Sequence, residues 1–252
     1  MTTVDDHALA HDLAEAAGRR LLELRAEGGD SDALRKAGDR QSHEFLIAEL
    51  ALRRPGDHVL SEEAADDPAR LAADRVWIID PLDGTREFGE DGRADWAVHV
   101  ALWERGSGER GALTAGAVAL PARGEVLSTA NPPPLPPAAE DPLRVVVSRS
   151  RPPAFATAVT EAIGAHTVPL GSAGAKIAAV ISGEADAYLH GGGFYEWDTA
   201  APVVVARAAG LHASRVDGSE LLYNQADLLL PDILVCHPAL AERLLKAIAD
   251  AS

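Results

Sequence analysis

The chain is expected to fold as a layered α/β protein, and three features predict it. Helix-like and strand-like periodicities alternate along most of its 252 residues. Hydrophobic residues make up 47% of it, enough for a substantial core. A proline-rich break near the middle separates an N-terminal subdomain, residues 1–130, from a C-terminal one, residues 143–252.

The elements follow in order. Val4, Leu9, Leu13, Ala17, Leu21 and Leu24 recur at helical spacing and stop at Gly28-Gly29, predicting a first helix. A second is expected from about Ser42 to Arg53, with Phe45, Ile47 and Leu50 apolar, and a break at Pro55-Gly56. Short strands follow near Val59 and over Val76 to Ile79, the latter stopped by Pro81, which has no N–H for a ladder. Trp96, Val98, Val100 and Leu102 alternate with Asp95, Ala97, His99 and Ala101, the pattern of a half-buried strand. Two more strands are expected over 114–120 and 124–128, joined by Pro121 to Arg123. Asn131 to Pro137, with Ala138 to Pro142, reads as a stiff linker over 131–142.

Beyond the linker come a strand over Leu143 to Val147, helices near 153–164 and 173–182, and strands near 166–170 and 185–189. A helix over 198–209 is opened by Asp198 at or near its N-cap, with Pro202 tolerated in the first turn. Strands near 212–216 and 231–236 and a helix from about Pro238 to Ala249 complete the chain.

Thirty-nine acids against 23 Lys plus Arg leave a formal charge of −16. Such a surface repels nucleic acid polymers and anionic membranes, because phosphate neutralisation needs a basic patch. A small polyanion is still admitted where metal ions and a few Arg or Lys reverse the potential locally. No apolar run approaches bilayer length, and the acidic start MTTVDDHALA lacks the regions of a signal peptide. One cysteine, Cys236, in an apolar strand, reads as a buried inert thiol in a reducing compartment, so a cytoplasmic protein is expected. The nine histidines lack zinc-ligand spacing and read as ordinary core or surface residues, with His190 considered for a substrate mouth. The four tryptophans read as core anchors, with Trp197 positioning Asp198.

The chemistry concentrates in Trp77-Ile78-Ile79-Asp80-Pro81-Leu82-Asp83-Gly84-Thr85. Asp80 sits at a strand end and Asp83 on the tight turn after it, and Gly84 allows a backbone shape or close approach that a Cβ would block. Two carboxylates this close repel unless a cation lies between them, and hard divalent cations prefer such oxygens. A helix starting near Thr85 would turn its free N–H groups to the same spot and favour an anion. Upstream, Glu62-Glu63 follows a strand end; downstream, Trp197-Asp198-Thr199-Ala200 opens a helix. Taken singly, Glu62 reads as a surface acid, Asp198 as an N-cap, and Gly38-Asp39 as a cap pair before a helix.

Together these motifs resemble the inositol monophosphatase superfamily of Mg²⁺-dependent, lithium-sensitive phosphatases, and the similarity runs from about Asp39 to the C-terminal helix. Within it the chain looks most like the CysQ-type 3′(2′),5′-bisphosphate nucleotidases of actinobacteria. The stretches that carry this are VLSEEAADD, DRVWIIDPLDGTREF, DWAVHVALW, VVVSRSR, GSAGAKIAAVISGEADAYLH and EWDTAAP. The resemblance implies a sugar-phosphatase fold, a five-layer αβαβα sandwich. It implies hydrolysis of the 3′-phosphate of 3′-phosphoadenosine 5′-phosphate, the by-product of sulfate transfer, with inositol phosphates or fructose 1,6-bisphosphate as alternative substrates.

The same resemblance assigns roles. Glu62, Asp80 and the Leu82 carbonyl would hold one Mg²⁺, and Asp80, Asp83 and Asp198 a second; a third ion would lean on Glu62, with Mn²⁺ as a substitute and Li⁺ inhibitory. Asp39 and Thr85 would orient and deprotonate the attacking water, and the Gly84 and Thr85 amides would receive the phosphate. Arg149, Arg151, Ser172 and Lys176 would contact a bisphosphate nucleotide, Arg151 standing where relatives often have His. The glutamate that meets ring hydroxyls in the inositol-selective branch falls at Gly191, which weakens the inositol reading. A homodimer is compatible with the family.

Overall fold

A computed structural model describes residues 5–139, 141–150, 152 and 154–251. Helices α1 (Asp6–Glu27) and α2 (Ser31–Arg53) come first. Strands β1 (His58–Ser61), β2 (Arg75–Asp83), β3 (Ala97–Glu104), β4 (Ala112–Leu120) and β5 (Glu125–Ser128) form one sheet in that order, with the one-turn helix α3 (Thr85–Phe88) after β2. β1 and β2 are parallel and the remaining pairs antiparallel.

The second sheet combines β6 (Arg144–Ser148), β7 (His166–Leu170), β8 (Ala187–His190), β10 (His212–Ser214) and β12 (Ile233–Cys236) in the order β10-β12-β8-β6-β7. Helices α4 (Ala154–Ala162), α5 (Ala173–Ile181), α6 (Glu196–Ala208) and α7 (Pro238–Ala251) pack around it, and β9 (Phe194–Tyr195) pairs with β11 (Leu229–Leu230).

The layers follow from which faces are apolar. Leu9, Leu13 and Leu21 of α1 and Leu46 and Leu50 of α2 pack on Trp77, Ile79, Val98 and Val100 of the first sheet. Its other face, with Ile78, Ala101 and Val118, meets α5 and α6, whose far side covers Val146, Tyr188 and Val235 of the second sheet. Helices α4 and α7 close the opposite face of that sheet through Val159, Leu240 and Leu244. The result is the five-layer αβαβα arrangement. Strand β3 is therefore buried on both faces, not half-buried as its alternation predicts: that alternation sorts residues between two cores.

Three local differences matter for function. Helix α2 begins at Ser31 rather than near Ser42, because the Asp30 carboxylate caps it, accepting from the Asp32 and Ala33 amides at 3.1 and 3.0 Å. Its first turns are too polar to show apolar periodicity. Gly38-Asp39 thus lies inside a helix, not before one, and a Cβ on Gly38 would come within 2.8 Å of Phe88 and 2.9 Å of Leu82. Strand β2 does not stop at Pro81. Its pairing passes from Asp80 opposite His99 to Asp83 opposite Ala97, a bulge of one extra residue. Pro81 is tolerated because β1 has already ended opposite Ile79, so no ladder bond is lost there. Finally, α6 starts at Glu196, which puts Asp198 at its third position and Pro202 in its second turn.

Candidate active site

The parallel pairing of β1 with β2 sets Ser61 beside Ile79, so the next residue along each chain, Glu62 just past β1 and Asp80 within β2, falls at the same end of the sheet. The bulge then returns Asp83 to this end, and α6, lying across β2, β3 and β4, brings its N-terminal turn and Asp198 to it. Asp80, Asp83 and Asp198 each present a carboxylate oxygen, all within 4.8 Å of one another.

Electrostatics follow from this crowding. Asp80 is buried, and desolvation with the charges of Glu62, Asp83 and Asp198 pushes its carboxyl well above the usual range, against a hydrogen bond from the Leu82 amide at 3.0 Å. Glu62 leaves much of its residue surface open to solvent, yet its carboxyl turns in to a hydrogen bond with Asp80; desolvation and Asp198 raise it to about 8. Asp198 rises to about 7, through burial and Asp83, opposed by the Tyr195 amide (2.6 Å) and Lys176. Acids that hold protons this far above their ordinary range are short of positive charge, and an all-oxygen set of this kind fits a hard divalent cation. A metal centre can form here.

Asp83 is bound on its other side to the start of α5. Its Oδ2 accepts from the Ser172 hydroxyl at 2.5 Å and the Gly174 amide at 2.6 Å, and its Oδ1 from the Ala173 amide at 3.2 Å. His99, wholly buried, stands with Nε2 3.3 Å from the same Oδ2 and Nδ1 3.1 Å from the Trp197 carbonyl. It therefore spans the two segments that carry Asp83 and Asp198. Gly174 makes room for it, since a Cβ there would lie 2.0 Å from Nε2. Nothing in the sequence distinguished His99 from a core histidine.

Thr85 opens α3, and its hydroxyl lies 3.2 Å from Asp39 Oδ1 and 3.0 Å from the Leu82 carbonyl oxygen. Burial and the nearby Glu63 raise Asp39 to about 6, with the Thr85 bond opposing. Gly84 precedes it at φ 84°, and a Cβ there would be 3.1 Å from both the Asp95 carbonyl oxygen and Ser172 Cβ. Both backbone shape and space demand glycine.

The basic residues are placed less openly. Lys176 is buried, its ammonium bonded to the Gly171 carbonyl at 3.1 Å and 5.5 Å from the Tyr188 ring centre; burial lowers its pKa, opposed by Asp83, Glu87 and Asp198. Arg149 is held by Glu87 at 2.7 Å and Glu90 at 3.0 Å. Arg151 lies outside the described residues. Ser172 caps α5 at φ 40° and faces Asp83. Gly191 is exposed before β9.

A second buried network was missed from sequence. Glu196 accepts from the Asn224 and Gln225 amides at 2.6 and 2.7 Å, and Asn224 in turn bonds the buried Arg70 at 2.7 Å. It ties the start of α6 to the segment after Glu62-Glu63.

The chain is similar to known proteins along nearly its whole length. The family model for the inositol monophosphatase family matches residues 6–252. The 3′-phosphoadenosine 5′-phosphate phosphatase of Mycobacterium tuberculosis is 55% identical over 240 residues, covering 93% of this chain and 90% of that protein. The Mycobacterium leprae protein of the same name is 51% identical over 254 residues, covering 97% and 94%. The crystal structure of CysQ from Bacteroides thetaiotaomicron superposes with a TM-score of 0.79 at 27% identity, covering 92% of this chain and 97% of that one. With a family match over nearly the whole sequence and relatives above half identity, this chain belongs to the inositol monophosphatase family.

Proposed function

We propose that the protein is a Mg²⁺-dependent 3′(2′),5′-bisphosphate nucleotidase that hydrolyses 3′-phosphoadenosine 5′-phosphate to AMP and phosphate. The observation that carries this is the 55% identity, over 93% of the chain, to a protein of that named activity. The converging carboxylates of Asp80, Asp83 and Asp198 give the reading a chemical centre.

Glu62, Asp80, Asp83, Asp198 and the Leu82 carbonyl would hold two or three Mg²⁺ ions. Such ions neutralise phosphoryl oxygens and lower the cost of making a nucleophile from water. The chain's own residues supply the rest. With its proton on the Asp39 side, the Thr85 hydroxyl can accept a hydrogen bond from water and pass a proton to Asp39 Oδ1, 3.2 Å away. An acid raised to about 6 is a base poised near neutral pH. Water oxygen then bonds to phosphorus as the bond to the 3′-oxygen breaks; the 3′-oxygen takes a proton from solvent to leave as the hydroxyl of AMP, and Asp39 returns its proton to solvent. The Gly84 and Thr85 amides, at the start of α3, would receive the phosphoryl oxygens.

The 5′-phosphate needs a cation, and Lys176 and Arg151 are the residues we assign to it; Arg149 is already paired with two glutamates. Inositol and fructose phosphates are the rival substrates, and Gly191 offers no side chain for ring hydroxyls. A cytoplasmic location and a homodimer complete the proposal. Phosphate release from the bisphosphate nucleotide, inositol 1-phosphate and fructose 1,6-bisphosphate, with and without Mg²⁺ and with added Li⁺, tests it. The nucleotide should be preferred, with Mg²⁺ required and Li⁺ inhibiting. Preference for inositol 1-phosphate would overturn the assignment.

A further inference from the structure

We propose that Tyr195 is the platform on which the substrate's nucleobase stacks, an inference that rests on the nucleotidase reading and adds a specificity-determining contact to it. Among the Phe, Tyr and Trp side chains of the described residues, Tyr195 alone is exposed, at 44%. A lone exposed apolar side chain is ordinary on a protein surface, so what matters is the position of this ring rather than its exposure. One face of the ring is already occupied: it stacks on the buried Trp197, centroids 4.8 Å apart and planes 14° from parallel. Trp197 is thus more than a core anchor, because it braces a second ring whose other face is open.

The ring is also rigidly placed relative to the chemistry. The Tyr195 amide donates to Asp198 Oδ2 at 2.6 Å, so this residue is bonded directly to one of the three converging carboxylates. Its strand β9 is fixed by pairing with β11, where Leu229 lies opposite Tyr195 and is 51% exposed. Paired residues project to the same face of a ribbon, so tyrosine and leucine form one apolar shelf beside the metal centre. A phosphate held at the carboxylates leaves the base of the same nucleotide only a ribose away. A flat, polarisable ring of restricted mobility suits a nucleobase, and stacking tolerates any base. A ring without a π-face, such as inositol, gains little from it.

The test measures competitive inhibition of the Mg²⁺-loaded enzyme by AMP and by ribose 5-phosphate, which has a hydroxyl at C1 in place of the base. For wild type, AMP should bind the more tightly. Tyr195→Ala should shrink the ratio of the two inhibition constants by about ten- to a hundred-fold, the scale of one base–aromatic stack. Tyr195→Phe should keep the ratio, and Tyr195→Leu, which retains packing on Trp197, should lose most of it. Should the alanine variant fail to fold, the leucine variant decides. An equal weakening for both inhibitors, or no change in the ratio, would overturn the proposal. So would dissociation of an oligomer in Tyr195→Ala with the ratio intact, which would make the shelf a contact between copies of the chain. Failure of the wild-type enzyme to hydrolyse 3′-phosphoadenosine 5′-phosphate would instead defeat the nucleotidase reading itself.

Discussion

Asp83→Asn and Asp80→Asn should both abolish Mg²⁺-dependent turnover, yet move stability in opposite directions. Sequence alone suggests that removing any charge from an acidic cluster relieves repulsion and stabilises the metal-free protein. The structure separates the two residues. Asp83 accepts from Ser172 at 2.5 Å, Gly174 at 2.6 Å and Ala173 at 3.2 Å, all at the start of α5. A hydrogen bond to a charged acceptor contributes about 1.5–3 kcal/mol and a neutral one about 0.5–1.5. With the amide oxygen kept at the Oδ2 position two bonds each weaken by roughly 1 kcal/mol, and the NH2 turned to the Ala173 amide leaves that donor unsatisfied at roughly 2 more, about 4 in all. The opposing relief is small. At pH 7 Glu62, raised to about 8, is mostly protonated, burial and the same neighbours push Asp80 toward its protonated form, and Asp198, at about 7, is half ionised. Relief from half a charge within 4.8 Å offsets about 2 kcal/mol at an effective dielectric of about 20, leaving a net loss of about 2. For a domain of this size that lowers Tm by about 4–8 °C. Asp80 has a single backbone donor, the Leu82 amide at 3.0 Å, which an asparagine oxygen can retain, so its Tm should hold or rise. Thermal melts in EDTA at pH 7 decide the matter. An Asp83→Asn melt at or above wild type, or an equal fall in Asp80→Asn, would refute the reasoning.

Thr85→Ala should lower kcat with little change in KM, because its hydroxyl matters chiefly in the transition state; a rise in KM alone would make it a binding residue. Metal-free stability should fall as pH climbs from about 5 to 8. Asp39, Asp198 and Glu62, raised to about 6, 7 and 8, keep protons in the folded protein that the unfolded chain has already lost. Mg²⁺ binds the ionised carboxylates, so its effect on Tm should be small at pH 5 and large at pH 8, and a flat profile would count against the site. Gly38→Ala should gain about 1 kcal/mol of helix propensity but lose about 1–3 to overlap with Phe88 and Leu82. Since those neighbours flank Thr85, kcat should drop more than Tm, and full activity with a raised Tm would show that α2 does not press on this loop.

Much of the fold was legible because its elements announce themselves. The apolar spacing of α1 and the alternation of β3 are local signals, and the closeness of Asp80 to Asp83 suggested a cation, whereas Glu62 and Asp198 joined them only through the family resemblance of their motifs. What stayed hidden depends on partners distant in sequence. The start of α2 is written in one capping aspartate and a polar first turn. Burial of both faces of β3 is invisible until α5 and α6 cover the second one. The bulge at Pro81 could not be told from a strand end, since both leave a missing N–H. His99 and Glu196 bridge segments far apart in the chain, and a lone His or Glu has no pattern to betray that.

The distribution of cations explains how so acidic a protein can hold a polyanion. Most of the arginines near the site are spent on structure. Arg149 braces α3 through Glu87 and Glu90, Arg93 is paired with Asp95, and Arg70 supports the Asn224 turn. Lys176 differs, because no carboxylate forms a close pair with its ammonium among the described residues; its one hydrogen bond is to the neutral Gly171 carbonyl. A buried ammonium so placed is stabilised by the diffuse field of Asp83, Glu87, Asp198 and Asp95 rather than by one partner. It can answer a phosphate without first breaking an ion pair, whereas Arg149 would have to abandon two. Charge bound by metal at Asp80, Asp83 and Asp198 would remove part of the field that now steadies Lys176. The ammonium would then seek another anion, and under the proposed assignment of Lys176 this would link filling of the metal centre to capture of the phosphate that is not cleaved.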